Sequence, residues 1–176
     1  ECSSTLFAAV RAASKELGYL DRVRAALSFE NREMVDGLHR EPWWPGERFI
    51  DFLLALEAVG GPGTSRRAGV LASHQSMGKL ARPLTGALLA FSRAPLESLL
   101  SRFSTFAGLG IRGVTASWVK TGDRVGRATV LLPRDTNPIL GEQWYGLFDV
   151  GFSLARQGSI VKVTIEPRSH VFDLQW

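Results

Sequence analysis

The chain reads as an α+β fold: an N-terminal layer of about six helices packed on a C-terminal β-β-α-β-β antiparallel sheet. Three observations predict it. Through most of residues 1–110 apolar side chains recur every three or four positions, the period of an amphipathic helix. From Val114 the pattern turns to strict alternation, the period of a strand, interrupted once by a helix-period run at Trp144–Ala155. No fixed-period repeat, low-complexity segment or long linker intervenes, so residues 1–176 are expected to form a single domain with a helical part at 1–110 and a β-β-α-β-β part at 111–176.

The first helix is predicted over Thr5–Leu17, where Leu6, Ala9, Val10, Ala13 and Leu17 share a face; Ser4 sits at the N-cap position and Gly18 at the C-terminal stop. A short second helix follows over Asp21–Leu27, and Ser28 caps a third, Phe29–Leu38. Pro42 and Pro45 then frame Trp43 and Trp44 in a rigid loop. Such a loop either lays a Trp on the core as a lid or presents an aromatic wall to a ligand or partner. Glu47–Val59 is apolar around most of its circumference and is therefore expected to be the buried central helix, ended by Gly60-Gly-Pro-Gly63. Thr64 or Ser65 caps a helix reaching about Leu80, Pro83 restarts one over Leu84–Phe91, and Pro95 opens another over Leu96–Phe106.

In the C-terminal part, Val114–Lys120 and Val125–Leu132 form a hairpin about Thr121-Gly-Asp-Arg124. A loop of turn formers, Pro133–Gly141, leads to the crossover helix Trp144–Ala155, in which Gly151 permits close approach to the sheet. The last two strands are Ile160–Ile165 and His170–Trp176; His170, Phe172, Leu174 and Trp176 fall on one side.

The composition, 45% hydrophobic and 22% charged, is that of an ordinary globular chain, and no apolar run approaches a membrane span. The start lacks the basic and apolar regions of a signal peptide, and one cysteine, Cys2, permits no internal disulfide; a cytoplasmic setting is the expectation. The net charge of +4 is unevenly spread. Residues 1–63 are acidic overall, whereas 64–111 hold Arg66, Arg67, Lys79, Arg82, Arg93 and Arg102 against Glu97 alone. That middle is either a set of solvated helix faces or a surface for an acidic partner; with no Lys/Arg run, nucleic acid is the less favoured partner.

No CxxC, HExxH, GxSxG, phosphate-binding Gly-rich loop or post-strand GxGxxG is present. His39 lies at a helix end beside Arg40, His170 opens the last strand, and His74 sits mid-helix among Ser73, Gln75 and Ser76. A single helical histidine can ligate haem iron; the other reading is a polar helix stripe. The carboxylates form no acid/base pair: Glu142 and Asp149 share a helix side but not a centre. These absences point to a chain that is not an enzyme.

Helices first, a Trp-Pro-Gly loop (Trp44–Gly46) before the central helix, then Trp144–Ala155 followed by Val-Lys-Val-Thr-Ile-Glu-Pro167 and a final aliphatic-aromatic strand: this order resembles a Myxococcales-restricted family of uncharacterised small proteins. More distantly it resembles the fold shared by haem-nitric-oxide-binding domains, vinyl-reductase-type small-molecule sensors and TRAPP vesicle-tethering subunits. The resemblance implies a bacterial, non-enzymatic sensor or adaptor with a pocket between helices and sheet. It does not extend to a cofactor, because the Tyr-x-Ser-x-Arg haem-propionate motif and the cysteines of the vinyl-reductase-type sites are missing. The expected pocket walls are Trp43, Trp44, Trp118, Trp144 and Phe148, with Arg82 or Arg112 anchoring an acidic group of a small hydrophobic or acidic ligand. The alternative is a homodimeric interaction module whose basic helices, 64–107, present Arg66, Arg67, Lys79, Arg93 and Arg102 to an acidic partner or nucleic acid.

Overall fold

The structure, a computed structural model, describes residues 1–76 and 95–176. It is α+β as expected, with the helices mostly N-terminal and a four-stranded antiparallel sheet at the C-terminal end. The expected continuation of a helix to Leu80, the Leu84–Phe91 helix, and Lys79, Arg82 and Arg93 lie outside the described residues.

The chain opens with a strand that the helical periodicity did not foreshadow. Strand β1 (Cys2–Ser3) pairs antiparallel with β2 (Trp43–Trp44), Cys2 opposite Trp44 and Ser3 opposite Trp43, and Cys2 also bridges Ile111. The Trp-Trp loop is thus one side of a small ladder. Because this ladder holds Ser3 extended, Ser3 rather than Ser4 caps α1 (Ser4–Glu16), its hydroxyl accepting from the Leu6 N–H at 3.1 Å. Helices α2 (Leu20–Ala26) and α3 (Phe29–Asp36) follow; Ser28 caps the latter.

Helix α4 (Gly46–Gly60) is the central helix. Phe49, Phe52, Leu53 and Leu56 are buried along it, and the Phe7 ring of α1 meets both Phe49 and Phe52 edge-on at 5.1 Å. Left-handed backbone at Gly61 and Gly63 turns the chain into α5, described over 64–76. The Glu57 carboxylate caps that helix from outside, accepting from the Gly63 and Ser65 N–H groups and the Ser65 hydroxyl.

The expected helix over Leu96–Phe106 is two helices, α6 (Pro95–Leu100) and α7 (Phe103–Gly110). At the break the Arg102 N–H bonds the Leu99 carbonyl and the Ser101 hydroxyl bonds the Ser98 carbonyl, so the last turn of α6 tightens and ends. The change of direction brings Phe103 against Trp144 and Phe148.

The sheet order is β3-β4-β6-β5, from β3 (Thr115–Gly122), β4 (Val125–Leu131), β5 (Ser159–Glu166) and β6 (Ser169–Gln175). Between β4 and β5 the expected loop contains a 3-10 stretch, Pro138–Gln143, and then helix α8 (Trp144–Ala155). Ala128, Val130, His170, Phe172 and Leu174 form the buried face of the sheet. The opposite face is polar and β-branched; across it Ser117, Thr129, Val171 and Thr164 stand in register, and Arg127 pairs with Asp173 at 2.7 Å. Gly126 is required where it stands: a Cβ there would lie 2.8 Å from the Trp118 indole nitrogen.

Helix α8 joins α5 through two glycines. A Cβ on Gly146 would run into the carbonyl oxygen of Gly69 and the Ser73 hydroxyl. Either side of this crossing, Arg66 clamps Glu142 and His74 pairs with Asp149. One connected apolar core runs from Phe7 and Phe52 through Leu96 and Phe103 to Phe172 and Trp176. No described helix is long and apolar enough to cross a membrane.

Candidate functional site

A cleft of about 370 Å³ opens where the first turn of α4, the segment after α7 and the loop after β4 meet. Its floor is apolar: Cys2, Phe49, Ile50, Ile111, Leu132 and Leu140, all buried or nearly so. Its rim is charged and polar: Glu47 and Asp51 on α4, Arg112 after α7, and Arg134, Asp135, Thr136 and Asn137 on the loop. That combination, a hydrophobic body with a few polar groups at its mouth, is the usual make-up of a small-molecule site.

Each wall is fixed by backbone bonds. On one side Ile111 bridges Cys2, and Arg112 and Glu1 exchange backbone hydrogen bonds, the Arg112 N–H donating to the Glu1 carbonyl at 2.9 Å. On the other, the Leu132 and Thr136 N–H groups bond the Arg168 and Pro167 carbonyls, and the Arg168 guanidinium bonds the Pro133 carbonyl. Asn137 caps the 3-10 stretch through the Ile139 N–H at 3.0 Å.

Most of the rim charges have partners. Glu47 forms an ion pair with Arg134 across the mouth. Asp51 accepts from Asn31 at 3.0 Å, and Asp135 lies 3.9 Å from Arg168. Arg112 differs: its guanidinium lies 3.7 Å over the Trp43 ring and makes no ion pair or side-chain hydrogen bond with the described residues.

The five aromatic residues expected to wall one pocket stand in three places. Trp43 carries Arg112 beside the cleft, and the Trp44 indole donates to the Leu38 carbonyl at 3.3 Å. Trp118 packs on Trp176, ring centres 6.1 Å apart. Trp144 and Phe148 are buried in the main core, where Phe148 stacks on Phe103 at 5.4 Å and contacts Phe172. Of the expected anchors, Arg112 lies on the cleft and Arg82 falls outside the described residues.

Of the basic set, Arg66 makes a two-point contact with Glu142, at 2.5 and 3.2 Å, and lies over the Tyr145 ring. Arg67 bonds the Thr64 hydroxyl, and Arg102 is exposed at the start of α7. Lys79 and Arg93 fall outside the described residues. Sequence reasoning missed Ile50, Leu140 and Arg134 as cleft residues. The one available signal was the turn-rich loop Pro133–Gly141, since loops between rigid elements are where binding residues gather.

The three histidines are dispersed. His39 is exposed; His74 is on the outer side of α5, its Nε2 2.7 Å from Asp149. His170 is buried, and its Nδ1 accepts from the Trp144 indole N–H at 3.1 Å. An indole nitrogen only donates, so His170 is neutral with its proton on Nε2, and that N–H has no partner among the described residues. Burial holds its pKa down at about 4. Burial likewise pushes the Cys2 thiol up to about 12. No group of three or more metal-ligating side chains occurs among the described residues.

No model of a known protein family matches the chain, and no curated protein matches it in sequence. Its fold has clear relatives among solved structures. The unliganded Fe(II) H-NOX protein of K. algicida superimposes with a TM-score of 0.65 at 11% identity, over 98% of this chain and 95% of that one. A point mutant of that protein gives 0.68 with the same coverage and identity. A mutant of T. tengcongensis H-NOX gives 0.60 at 10% identity over 99% of this chain and 97% of that one. The chain therefore has the H-NOX fold, the haem-nitric-oxide-binding fold its layout resembles, along nearly its whole length.

Proposed function

We propose that this chain is a non-enzymatic regulatory domain that senses a small molecule in the cleft between α4, Ile111–Val114 and the 132–137 loop. The observation that carries the reading is the cleft itself: about 370 Å³, apolar below, polar at the mouth, with walls held by backbone hydrogen bonds. The H-NOX neighbours supply a consistent context, since the fold hosts sensors of small ligands.

A histidine-ligated haem does not fit the residues present. The chain has three histidines. His39 and His74 are exposed, and the Nε2 of His74 faces a carboxylate. His170 would need its lone pair on Nε2 to bind iron, and that tautomer would set an Nδ1–H against the Trp144 N–H. The sensing reading therefore rests on the protein's own cleft.

Two measurements test it. A fragment panel read by ligand-observed NMR is expected to yield binders that are lost in Ile50→Trp, which fills the floor; a panel with no binder sensitive to Ile50 overturns the proposal. Addition of hemin is expected to give no sharp Soret band that disappears in His74→Ala or His170→Ala, and such a band would restore haem as the ligand.

A further inference from the structure

Building on the cleft reading, we infer that its ligand is a compact monocarboxylate, with the acid group on Arg112 and the apolar body on Ile50, Ile111, Leu132 and Leu140. The argument is one of charge accounting. Glu47 and Arg134 satisfy one another across the mouth, Asp51 is held by Asn31, and Asp135 is beside Arg168. Of the two arginines that line the cleft, Arg134 is paired with Glu47, and Arg112 has no carboxylate among the described residues. Its guanidinium carbon lies 3.7 Å over the Trp43 ring centre, which restricts where the fork sits, and its N–H groups take no partner among the described residues. A planar fork held by stacking matches a carboxylate through two parallel hydrogen bonds.

The ladder explains why the fork is so placed. Trp43 pairs with Ser3, next to Cys2, and Cys2 bridges Ile111. Arg112 and Trp43 are therefore on the two outer strands of a three-stranded arrangement, and the arginine reaches across β1 to the indole. The same bridge brings Ile111 to the cleft floor, so the charged anchor and the apolar floor are one residue apart.

The same accounting limits the ligand's charge. One uncommitted guanidinium balances one negative charge. A dianion such as a phosphate monoester would face the Glu1, Glu47 and Asp135 carboxylates on the same rim without a second unpaired arginine among the described residues. Size is limited too: at roughly 30 Å³ per water-sized group, the cleft holds about a dozen heavy atoms.

The probe is 4-phenylbutyrate, with 4-phenylbutanamide as its neutral isostere, titrated calorimetrically against the whole chain. The acid is expected to bind about five- to tenfold more tightly than the amide, as one charge-assisted contact at a partly open site should give. Arg112→Gln is expected to bring the acid down to about the affinity of the amide, and Arg112→Lys to keep only part of the preference. Arg112 is exposed, so these variants are expected to fold, which their thermal melts check. Equal binding of acid and amide, or an acid preference that survives Arg112→Gln, overturns the monocarboxylate assignment but leaves the cleft as a small-molecule site. Failure of both probes overturns the assignment as well; the Ile50-dependent fragment panel then decides separately whether the cleft binds anything.

Discussion

The neutral, buried His170 makes the stability of this protein depend on pH in a way that one substitution isolates. In the unfolded chain a histidine titrates near 6.5; in the fold, burial lowers His170 to about 4. Above pH 6.5 both states hold a neutral ring and the group contributes nothing to the pH dependence. Between 6.5 and 4 the unfolded chain binds a proton that the native state does not, so stability falls as pH falls. The loss approaches about 1.4 kcal/mol per pH unit inside that window, about 2 kcal/mol by pH 5 and about 3 kcal/mol in the limit. His170→Asn keeps an acceptor near the position of Nδ1 for the Trp144 N–H but cannot titrate. Urea unfolding followed by tryptophan fluorescence at pH 7.5, 6, 5 and 4.5 gives the comparison. The variant is expected to be less stable at pH 7.5 by about 1–3 kcal/mol, for the smaller side chain. It is also expected to lose stability less steeply on acidification, and the difference between the two proteins removes the common contribution of the carboxylates. Parallel stability curves for the two proteins between pH 7.5 and 4.5 would refute the reasoning.

Two further substitutions probe how α5 is held. Gly146→Ala places a methyl group against the Gly69 carbonyl and the Ser73 hydroxyl, so α5 and α8 must separate; a loss of about 1–3 kcal/mol in urea unfolding is expected, and no change would mean the crossing is looser than described. Glu57→Ala strips α5 of its cap and leaves the Gly63 and Ser65 N–H groups without it, at an expected cost of about 1–2 kcal/mol. Burial alone would raise the Glu57 pKa, but the bonds from Ser65, Gly63 and Thr64 outweigh it and hold it below 4.5. Its contribution is thus present above that value and fades as pH falls through the lowered pKa, and the gap between wild type and Glu57→Ala should narrow below pH 4.

Much of this architecture was legible in the sequence because its signals are local. The three- and four-residue spacing of Leu6, Ala9, Val10 and Ala13 identified α1, and the nearly all-round apolar surface of Glu47–Val59 identified the buried α4. The alternation of His170, Phe172 and Leu174 gave the buried side of β6. Where the reading differed, a non-local contact had overridden a local signal. Ser3 became the cap of α1 because Trp43 and Trp44 pair with its strand. The helix expected over Leu96–Phe106 broke at Ser101–Arg102, where the turn tightens and Phe103 goes to Trp144.

The cleft was the least legible part. Its residues come from positions near 1, 50, 111 and 135, and periodicity carries no information about which loops meet. Trp43 is marked by its place in a proline-framed loop and Arg112 by its charge, but nothing in the sequence pairs them. The expected aromatic wall is dispersed for the same reason: a tryptophan is equally at home in a core, a lid or a pocket, and only packing decides which.

By itself, then, the sequence determined the fold class, the helices-then-sheet layout, the central helix and the buried side of the last strand, since each follows from which face of a local element is apolar. The tertiary structure alone decided that Arg112 stands on Trp43 beside an apolar cleft and that the proton of His170 sits on Nε2. It likewise decided that the charges of Arg66 and Glu142 are matched to one another. Those are outcomes of long-range packing, in which each group takes the partner that the folded backbone brings within reach.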